Sequence, residues 1–417
     1  MKISHLSNLS DILLGNLGSF IRQPARGFTL IEIMVTLVLS LFLLLGTTSV
    51  YTSGKQTYRN TVSLSRMQEN GRLAFEYLSQ DLLIAGNFGC ATSSFKSNSD
   101  YQYFGSPISG TCPSGSPPLS GKLVNTLKNP ANFGGNFRQA LIGYDGQTAV
   151  TSSPGTTSSF DRTVETGAIS TTGSGRALDN SDLIIITGAI PLGITITANS
   201  SSTGDITISP LPAGLKTLSA TANTNFVVAA DCQGASIFSI TNALSANTML
   251  LSHAASGNNQ CSDMGKTFVG GEILKAFSRS YYIAIDPTTN LRALYRREID
   301  GTDQILVPGI DNMQIKYGLA ASIDGYPVDY YTASQIMDGT HTCNTQSTGG
   351  ISTGDVWDCV KSVQIELLVV SPEDNLTTTP QQNIWFNSNT YTASDKRMRM
   401  VMVTTIGVRN RLLQSQS

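Results

Sequence analysis

The chain has 417 residues, of which 40% are hydrophobic and 13% charged, and its formal net charge at pH 7 is −2. This balance leaves no surplus of lysine and arginine to neutralise phosphates, so composition speaks against a nucleic-acid-binding protein. Low charge, 38 glycines and many Ser, Thr and Asn residues are typical of a loop-rich β protein outside the cytoplasm.

An apolar run near the N-terminus is the strongest signal. No charged residue stands between Ile33 and Gly54, and a helix of that length covers about 33 Å, enough to cross a bilayer core. Arg22 and Arg26 precede the run and Lys55 follows it. This charge distribution favours an N-terminus inside and a body outside the cytoplasm.

The start of that run carries the motif GFTLIE at 27–32. It resembles the class III signal of type IV prepilins and pseudopilins. The resemblance implies cleavage between Gly27 and Phe28, N-methylation of Phe28, and contact between Glu32 and the terminal amine of a neighbouring subunit. Residues 1–27 would then be a leader peptide. That leader is long and partly apolar, so a later start codon is an alternative. A secretory signal fits poorly because its small residue follows the apolar run.

Glu32 also has a physical argument of its own. A carboxylate inside a membrane helix costs about 2.5–3.5 kcal/mol, which suggests a partner. Cleavage after Gly27 would leave an ammonium on Phe28, and the two charges are less costly paired than apart. The pair can form within one helix, one turn apart, or between staggered subunits, where it would set their axial register.

Helical periodicity continues beyond the apolar run. Apolar residues recur mostly three and four positions apart at 64, 67, 74, 75, 78, 82 and 85, which predicts one amphipathic helix over 28–89. Gly54 and Gly71 are expected to bend it and Gly86 to end it. The charged residues between, Asp81 among them, are predicted to form its polar surface.

From residue 90 onward the pattern is that of an antiparallel β protein. Stretches 96–120 and 145–181 are rich in Ser, Thr, Gly and Pro and are predicted to be loops. The sequence does not show the alternation of strands and helices that is typical of a parallel sheet, so such a sheet is not expected. Strands are predicted at 183–187, 194–197, 205–209, 226–230, 236–240, 280–285, 292–297, 314–319, 363–371 and 398–408.

All six cysteines follow the apolar helix, which on the oxidising side of a membrane predicts disulfides. Six cysteines allow 15 connectivities. Their grouping along the chain favours three pairs of neighbours, Cys90–Cys112, Cys232–Cys261 and Cys343–Cys359.

Three further stretches sharpen the resemblance to the PilW family of minor pilins. They are QENGRLAF at 68–75 with DLLIAGNFGC at 81–90, VPGIDNMQIKY at 307–317, and TTIGVRNR at 404–411. The second is also similar to the J pseudopilin of type II secretion. The resemblance implies an α+β, pilin-like fold: a long N-terminal helix, membrane-embedded in its first half, packed on a large antiparallel β-rich head at 90–417 with loop insertions.

Motifs for catalysis or cofactors are weak. GISTG at 350–354 matches a nucleophile pattern around Ser352, but it is predicted to lie in a loop without the required strand and helix. Lys266 follows Gly265 as in a phosphate-binding loop, but Gln260 occupies the position of the first glycine that this motif requires. Residues 300–303 are predicted to form a turn rather than a calcium site. Trp357 and Trp385 are expected to pack in the core or in loops. No cofactor or metal is expected.

The resemblance implies a non-enzymatic minor pilin of a type IV pilus, which initiates assembly and lies near the pilus tip. Implied partners are other minor pilins and the major pilin through the helix, prepilin peptidase, and a tip adhesin. The implied location is the inner membrane of a Gram-negative bacterium, with the head in the periplasm, and then the pilus. One alternative is a J-type pseudopilin of a type II secretion system. The other is an anchored periplasmic enzyme or ligand-binding protein.

Overall fold

The computed structural model describes residues 27–90, 101–103, 122–127, 137, 139–146, 176–178, 180–209, 225–242, 249–322, 325–347, 350–354 and 356–409. For 101–103, 344–347 and 350–354 the description covers the backbone alone. The chain forms two compact units, Met1–Arg59 and Asn60–Ser417.

One helix, α1 (Leu30–Leu83), supplies the described residues of the first unit from Leu30 onward and continues into the second. It ends close to the predicted position. Gly86 follows with φ of +69°, a left-handed conformation that glycine adopts at little cost. Gly71 lies inside the helix, and a Cβ there would be 2.2 Å from Sδ of Met402. Glycine at 71 therefore allows the helix to approach a β-strand closely.

The larger sheet of the head is mostly antiparallel. Its hydrogen-bonded order among described strands is β1-β2-β7-β6-β9-β4-β5-β8, with β3 beside β4, β10 beside β9, and β11 beside β10. Two pairs, β1–β2 and β2–β7, are parallel, which the sequence pattern does not predict. The bounds are β1 Tyr101–Tyr103, β2 Lys122–Asn125, β3 Leu141–Tyr144, β4 Leu183–Asn199, β5 Ile206–Ile208, β6 Phe226–Asp231, β7 Gly234–Ser239, β8 Leu250–Leu251, β9 Glu272–Ile285, β10 Arg292–Arg297 and β11 Asp303–Pro308.

A second sheet has four antiparallel strands in the order β13-β12-β16-β19. Two hairpins, β14–β15 and β17–β18, and a short helix, α2, complete the described part of the head. The bounds are β12 Ile310–Ala320, β13 Pro327–Tyr331, α2 Ala333–Met337, β14 Cys343–Ser347, β15 Gly350–Gly354, β16 Val360–Val370, β17 Ile384–Phe386, β18 Asn389–Tyr391 and β19 Arg399–Gly407.

The main core lies between α1 and these strands. Its helix residues, Met67, Ala74, Leu78 and Leu82, have no exposed surface and share one buried cluster with residues of β12 and β16. Burying a leucine side chain stabilises a fold by roughly 1.5–3 kcal/mol. The three-and-four spacing therefore identified most of the face that holds the helix to the head, although Leu64 is exposed and Phe75 is only partly buried.

All ten predicted strands are present. The predictions at 183–187 and 194–197 merge into the single strand β4, with a register shift near Pro191 where the strand lacks an N–H donor. The loop predicted at 350–354 is wrong, because these residues form β15. The loops predicted at 96–120 and 145–181 lie mostly outside the described residues, and their described part includes the short strand β1.

The predicted cysteine connectivity is correct for one pair and wrong for two. Cys343–Cys359 is present, but Cys90 is bonded to Cys232, 142 positions away. The reason is the sheet order, because the turn between β6 and β7 brings Cys232 to the end of the helical segment. Cys261 is also disulfide-bonded, whereas Cys112 lies outside the described residues.

Candidate assembly site

The apolar half of α1 begins with a hydrogen-bonded cap. The hydroxyl of Thr29 accepts from the Glu32 backbone N–H at 3.3 Å, and Oε2 of Glu32 accepts from the Thr29 N–H at 3.4 Å. This reciprocal pair is a capping box, which satisfies donors that a helix start leaves open. Gly27, Phe28 and Thr29 precede the helix, so the Gly27–Phe28 peptide bond is outside it.

Beyond the cap, the first unit presents an apolar surface. Phe28 is 78% exposed, and the aliphatic side chains from Leu30 to Leu45 are more than half exposed. This helix is long and apolar enough to cross a membrane by length and composition. Hydroxyls at Thr36, Ser40 and Thr47 donate to helix carbonyls three or four residues earlier. In lipid these polar groups would therefore need no outside partner.

Glycine at 27 is not required by the described structure. A Cβ built there meets no atom within 4 Å, and the backbone does not adopt a positive φ. The same open space surrounds Gly46 and Gly54. Any requirement for a small residue at 27 must therefore come from a molecule that binds this segment.

Glu32 has no cation beside it within the described part of the chain. Among the described residues, its carboxylate accepts hydrogen bonds only from the N–H and the hydroxyl of Thr29, and it is exposed. An ammonium supplied by a processed N-terminus would thus meet a carboxylate that no lysine or arginine of the described residues neutralises.

In the head, a buried charged network joins α1 to the larger sheet. Asp81, predicted to lie on the polar surface, is instead 3% exposed. Its carboxylate accepts from Nη1 of Arg279 at 2.6 Å and from the hydroxyl of Tyr281 at 2.5 Å. Arg279 also pairs with Glu298 at 3.2 Å. The network holds the last turn of the helix against β9.

Burial and charge shift the pKa values in this network. Burial raises the pKa of the Tyr281 hydroxyl well above its ordinary range, and the negative charge of Asp81 raises it further. Burial alone would lower the pKa of Arg279, but Asp81 and Glu298 outweigh it and raise that pKa. Tyr281 is therefore a neutral donor and Arg279 a permanent cation at neutral pH.

A second network ties β12 to β19. Nε of Arg399 lies 2.9 Å from Oδ2 of Asp311, and its Nη1 lies 2.5 Å from Oδ1 of Asp395. The hydrogen bond from Arg399 lowers the pKa of Asp395. Tyr391 stands beside the guanidinium, with its ring centroid 5.7 Å away. These contacts fix the last strand in the four-stranded sheet.

Neither network was predicted from the sequence. For Asp81 a signal existed, because the residue stands three after Leu78 and four before Ala85, on the apolar face of the helix. For Arg399 and Asp311, 88 positions apart, sequence patterns carry no comparable signal.

The residues considered for catalysis or metal binding lie in a strand or form ion pairs within the fold. Ser352 lies within β15 and not at a strand-to-helix turn. Asp303 pairs with Arg297 and accepts from Tyr282, in keeping with the predicted turn before it. Lys266 pairs with Asp231. Across the described ranges, no three His, Cys, Asp or Glu side chains form a group that could hold a metal ion.

The tryptophans differ from one another. Trp357 is 1% exposed and packs edge-on against Tyr317, with ring centroids 5.0 Å apart, as predicted. Trp385, on the β17–β18 hairpin, is 67% exposed, so the expectation of packing fails there.

Two family models match the chain. The model of a prokaryotic N-terminal methylation motif matches residues 22–48, and that of type IV pilus-assembly protein W, PilW, matches residues 280–410. Both matches support a PilW-type pilin. The first match contains the capped helix start, and the second contains the end of β9 and all of the four-stranded sheet. No curated protein and no solved structure matches the chain.

This assignment agrees with the architecture. The chain combines a long N-terminal apolar helix with an antiparallel β-rich head, which confirms the predicted α+β class. The helix and the methylation motif fit a membrane-anchored pilin, and the family is that of a structural protein of the pilus.

Proposed function

We propose that this PilW-type pilin is a non-enzymatic minor pilin of a type IV pilus, which acts in the initiation of assembly and near the pilus tip. Prepilin peptidase cuts it between Gly27 and Phe28, Phe28 is N-methylated, and residues 1–27 are removed as a leader. It enters the inner membrane of a Gram-negative bacterium through the first half of α1, with the head from residue 90 in the periplasm.

The observation that carries this proposal is the helix start. A carboxylate without a cationic partner in the described chain stands at the beginning of an exposed apolar helix, shortly after the Gly27–Phe28 bond, which lies outside the helix and has open space around Gly27. Cleavage there creates a cation near Glu32, and an assembly of such helices can pair the two charges. Other minor pilins and the major pilin are the proposed partners of this surface, and a tip adhesin is a further one.

Processing provides the first test. We expect N-terminal sequencing and mass analysis of the protein from its native membrane to find N-methyl-Phe28. Gly27→Leu should abolish cleavage, because the peptidase is expected to accept only a small residue at this position. Gly27→Ala should retain part of the cleavage. Since a Cβ at 27 has open space, both variants should fold alike, and Gly46→Leu is the matched control. A mature chain that retains residues before Phe28 would refute the assignment.

Abundance tests the minor role. A head of more than 300 residues is difficult to repeat at every step of a tight shaft, so we expect few copies per filament. Quantitative mass spectrometry of sheared, purified pili should find it far below the major subunit, and gold labelling should place it at filament ends. Labelling along the whole shaft would refute the tip role. Recovery with a secretion complex and not with pili would favour a J-type pseudopilin.

A further inference from the structure

The two disulfides with both partners described differ in chain order and exposure. Cys343 and Cys359 are consecutive cysteines, and both side chains are fully buried. Cys90 and Cys232 are exposed, and their bond passes over Cys112, which stands between them in the chain. The first bond therefore joins neighbouring cysteines of the sequence, whereas the second can form only if Cys90 does not remain bonded to Cys112.

We propose that the native Cys90–Cys232 bond forms through a thiol–disulfide isomerase acting on an earlier, non-native Cys90–Cys112 bond. This inference goes beyond the proposed pilus function and depends only on the connectivity. Cys112 stands about 22 positions from Cys90, against 142 for Cys232, so loop closure favours it by roughly sixteenfold in an unfolded chain. Export from the N-terminus would add to this preference, because Cys112 emerges first.

The native partner is positioned only late in folding. Cys232 follows β6, and β6 is held in the sheet by β9, whose residues 272–275 come after it in the chain. Around Cys90, the space is shaped by the same strands. A Cβ on Gly89 would lie 2.7 Å from Cβ of Ala230, and the carbonyl of Asn87 accepts from the Ala189 N–H at 2.6 Å. Cys90 and Cys232 therefore meet reliably only after β4, β6 and β9 have paired.

The exchange balances without a net change of redox state. An oxidant such as glutathione disulfide first takes two electrons from Cys90 and Cys112, which forms their bond. The isomerase thiolate then attacks the sulfur of Cys90, the bond to Cys112 breaks, and Cys112 leaves as a thiolate that takes a proton from water. Finally the Cys232 thiolate attacks Cys90 and releases the isomerase thiolate. The exposure of Cys90 and Cys232 gives the enzyme access to this step.

Oxidative refolding of the full chain in detergent tests the proposal. The reduced protein is refolded with glutathione disulfide, with or without protein disulfide isomerase, then alkylated at intervals and mapped by mass spectrometry. We expect Cys90–Cys112 to appear first and isomerase to speed the formation of Cys90–Cys232 on the order of tenfold. The consecutive Cys343–Cys359 bond is the internal control, and its formation should change far less.

A matched variant removes the competing partner. With Cys112→Ser and Cys261→Ser together, Cys90–Cys232 should form at the same rate with and without isomerase. If this variant fails to fold, the order of trapped species in the unchanged protein still decides. Formation of Cys90–Cys232 before any Cys90–Cys112 species, or at a rate that isomerase does not alter, would overturn the proposal.

Discussion

Replacing Asp81 with alanine is expected to lower the free energy of unfolding of the head by about 3 kcal/mol. The change removes the closer acceptor of the buried Tyr281 hydroxyl, which keeps only the Tyr77 carbonyl at 3.4 Å, and removes one of the two carboxylates that neutralise Arg279. Because Arg279 keeps Glu298, the loss should fall at the lower end of the range for breaking a buried pair. Urea unfolding of the full chain in detergent, followed by tryptophan fluorescence, measures it.

The matched control is Glu76→Ala, an exposed carboxylate on the same helix. A substitution at such a surface position should change stability by no more than about 0.5 kcal/mol. Asp81→Asn separates the two functions of the carboxylate, because an amide oxygen can still accept from Tyr281 but cannot neutralise Arg279. If Asp81→Ala behaves like Glu76→Ala, the network contributes nothing to the attachment of the helix to β9.

Replacing Glu32 with glutamine is expected to reduce incorporation into the pilin complex while membrane association persists. Removing one member of a buried ion pair costs about 3 kcal/mol, which corresponds to roughly a hundredfold in affinity. Insertion itself should improve, because the apolar helix loses a charge. Co-purification with partner pilins from solubilised membranes is the measurement for assembly, and carbonate extraction is the measurement for anchoring.

The capping box permits a sharp control for this result. Glutamine at 32 can still accept from the Thr29 N–H, so Glu32→Gln removes the charge and keeps the cap. Thr29→Ala does the reverse, because it removes the hydroxyl that accepts from the Glu32 N–H. We expect the alanine variant to assemble within a few-fold of the unchanged protein. Equal recovery of the complex with Glu32→Gln would show that this carboxylate is not the assembly partner.

The partner of Cys90 and the surface position of Asp81 were predicted incorrectly from the sequence. Proximity in the chain favoured Cys90–Cys112, and a charged residue in an amphipathic helix favoured a surface position for Asp81. Both inferences used neighbouring residues, whereas the partners lie 142 and 198 positions away. Sheet order brings such positions together, and no period of the sequence encodes that order. The prediction of a loop at 350–354 was wrong for a similar reason. This segment has few apolar residues, so its composition does not indicate that it pairs with β14.

The sequence by itself determined the apolar helix through Leu83, the ten strand segments and the resemblance to PilW-type pilins, because periodicity, hydrophobic length and a contiguous motif are properties of neighbouring residues. Only the tertiary structure decided the partner of Cys90, the burial of Asp81 and the pairing of Arg399 with Asp311. These depend on which strands lie beside one another, and that choice is made by the packing of the whole head against its helix.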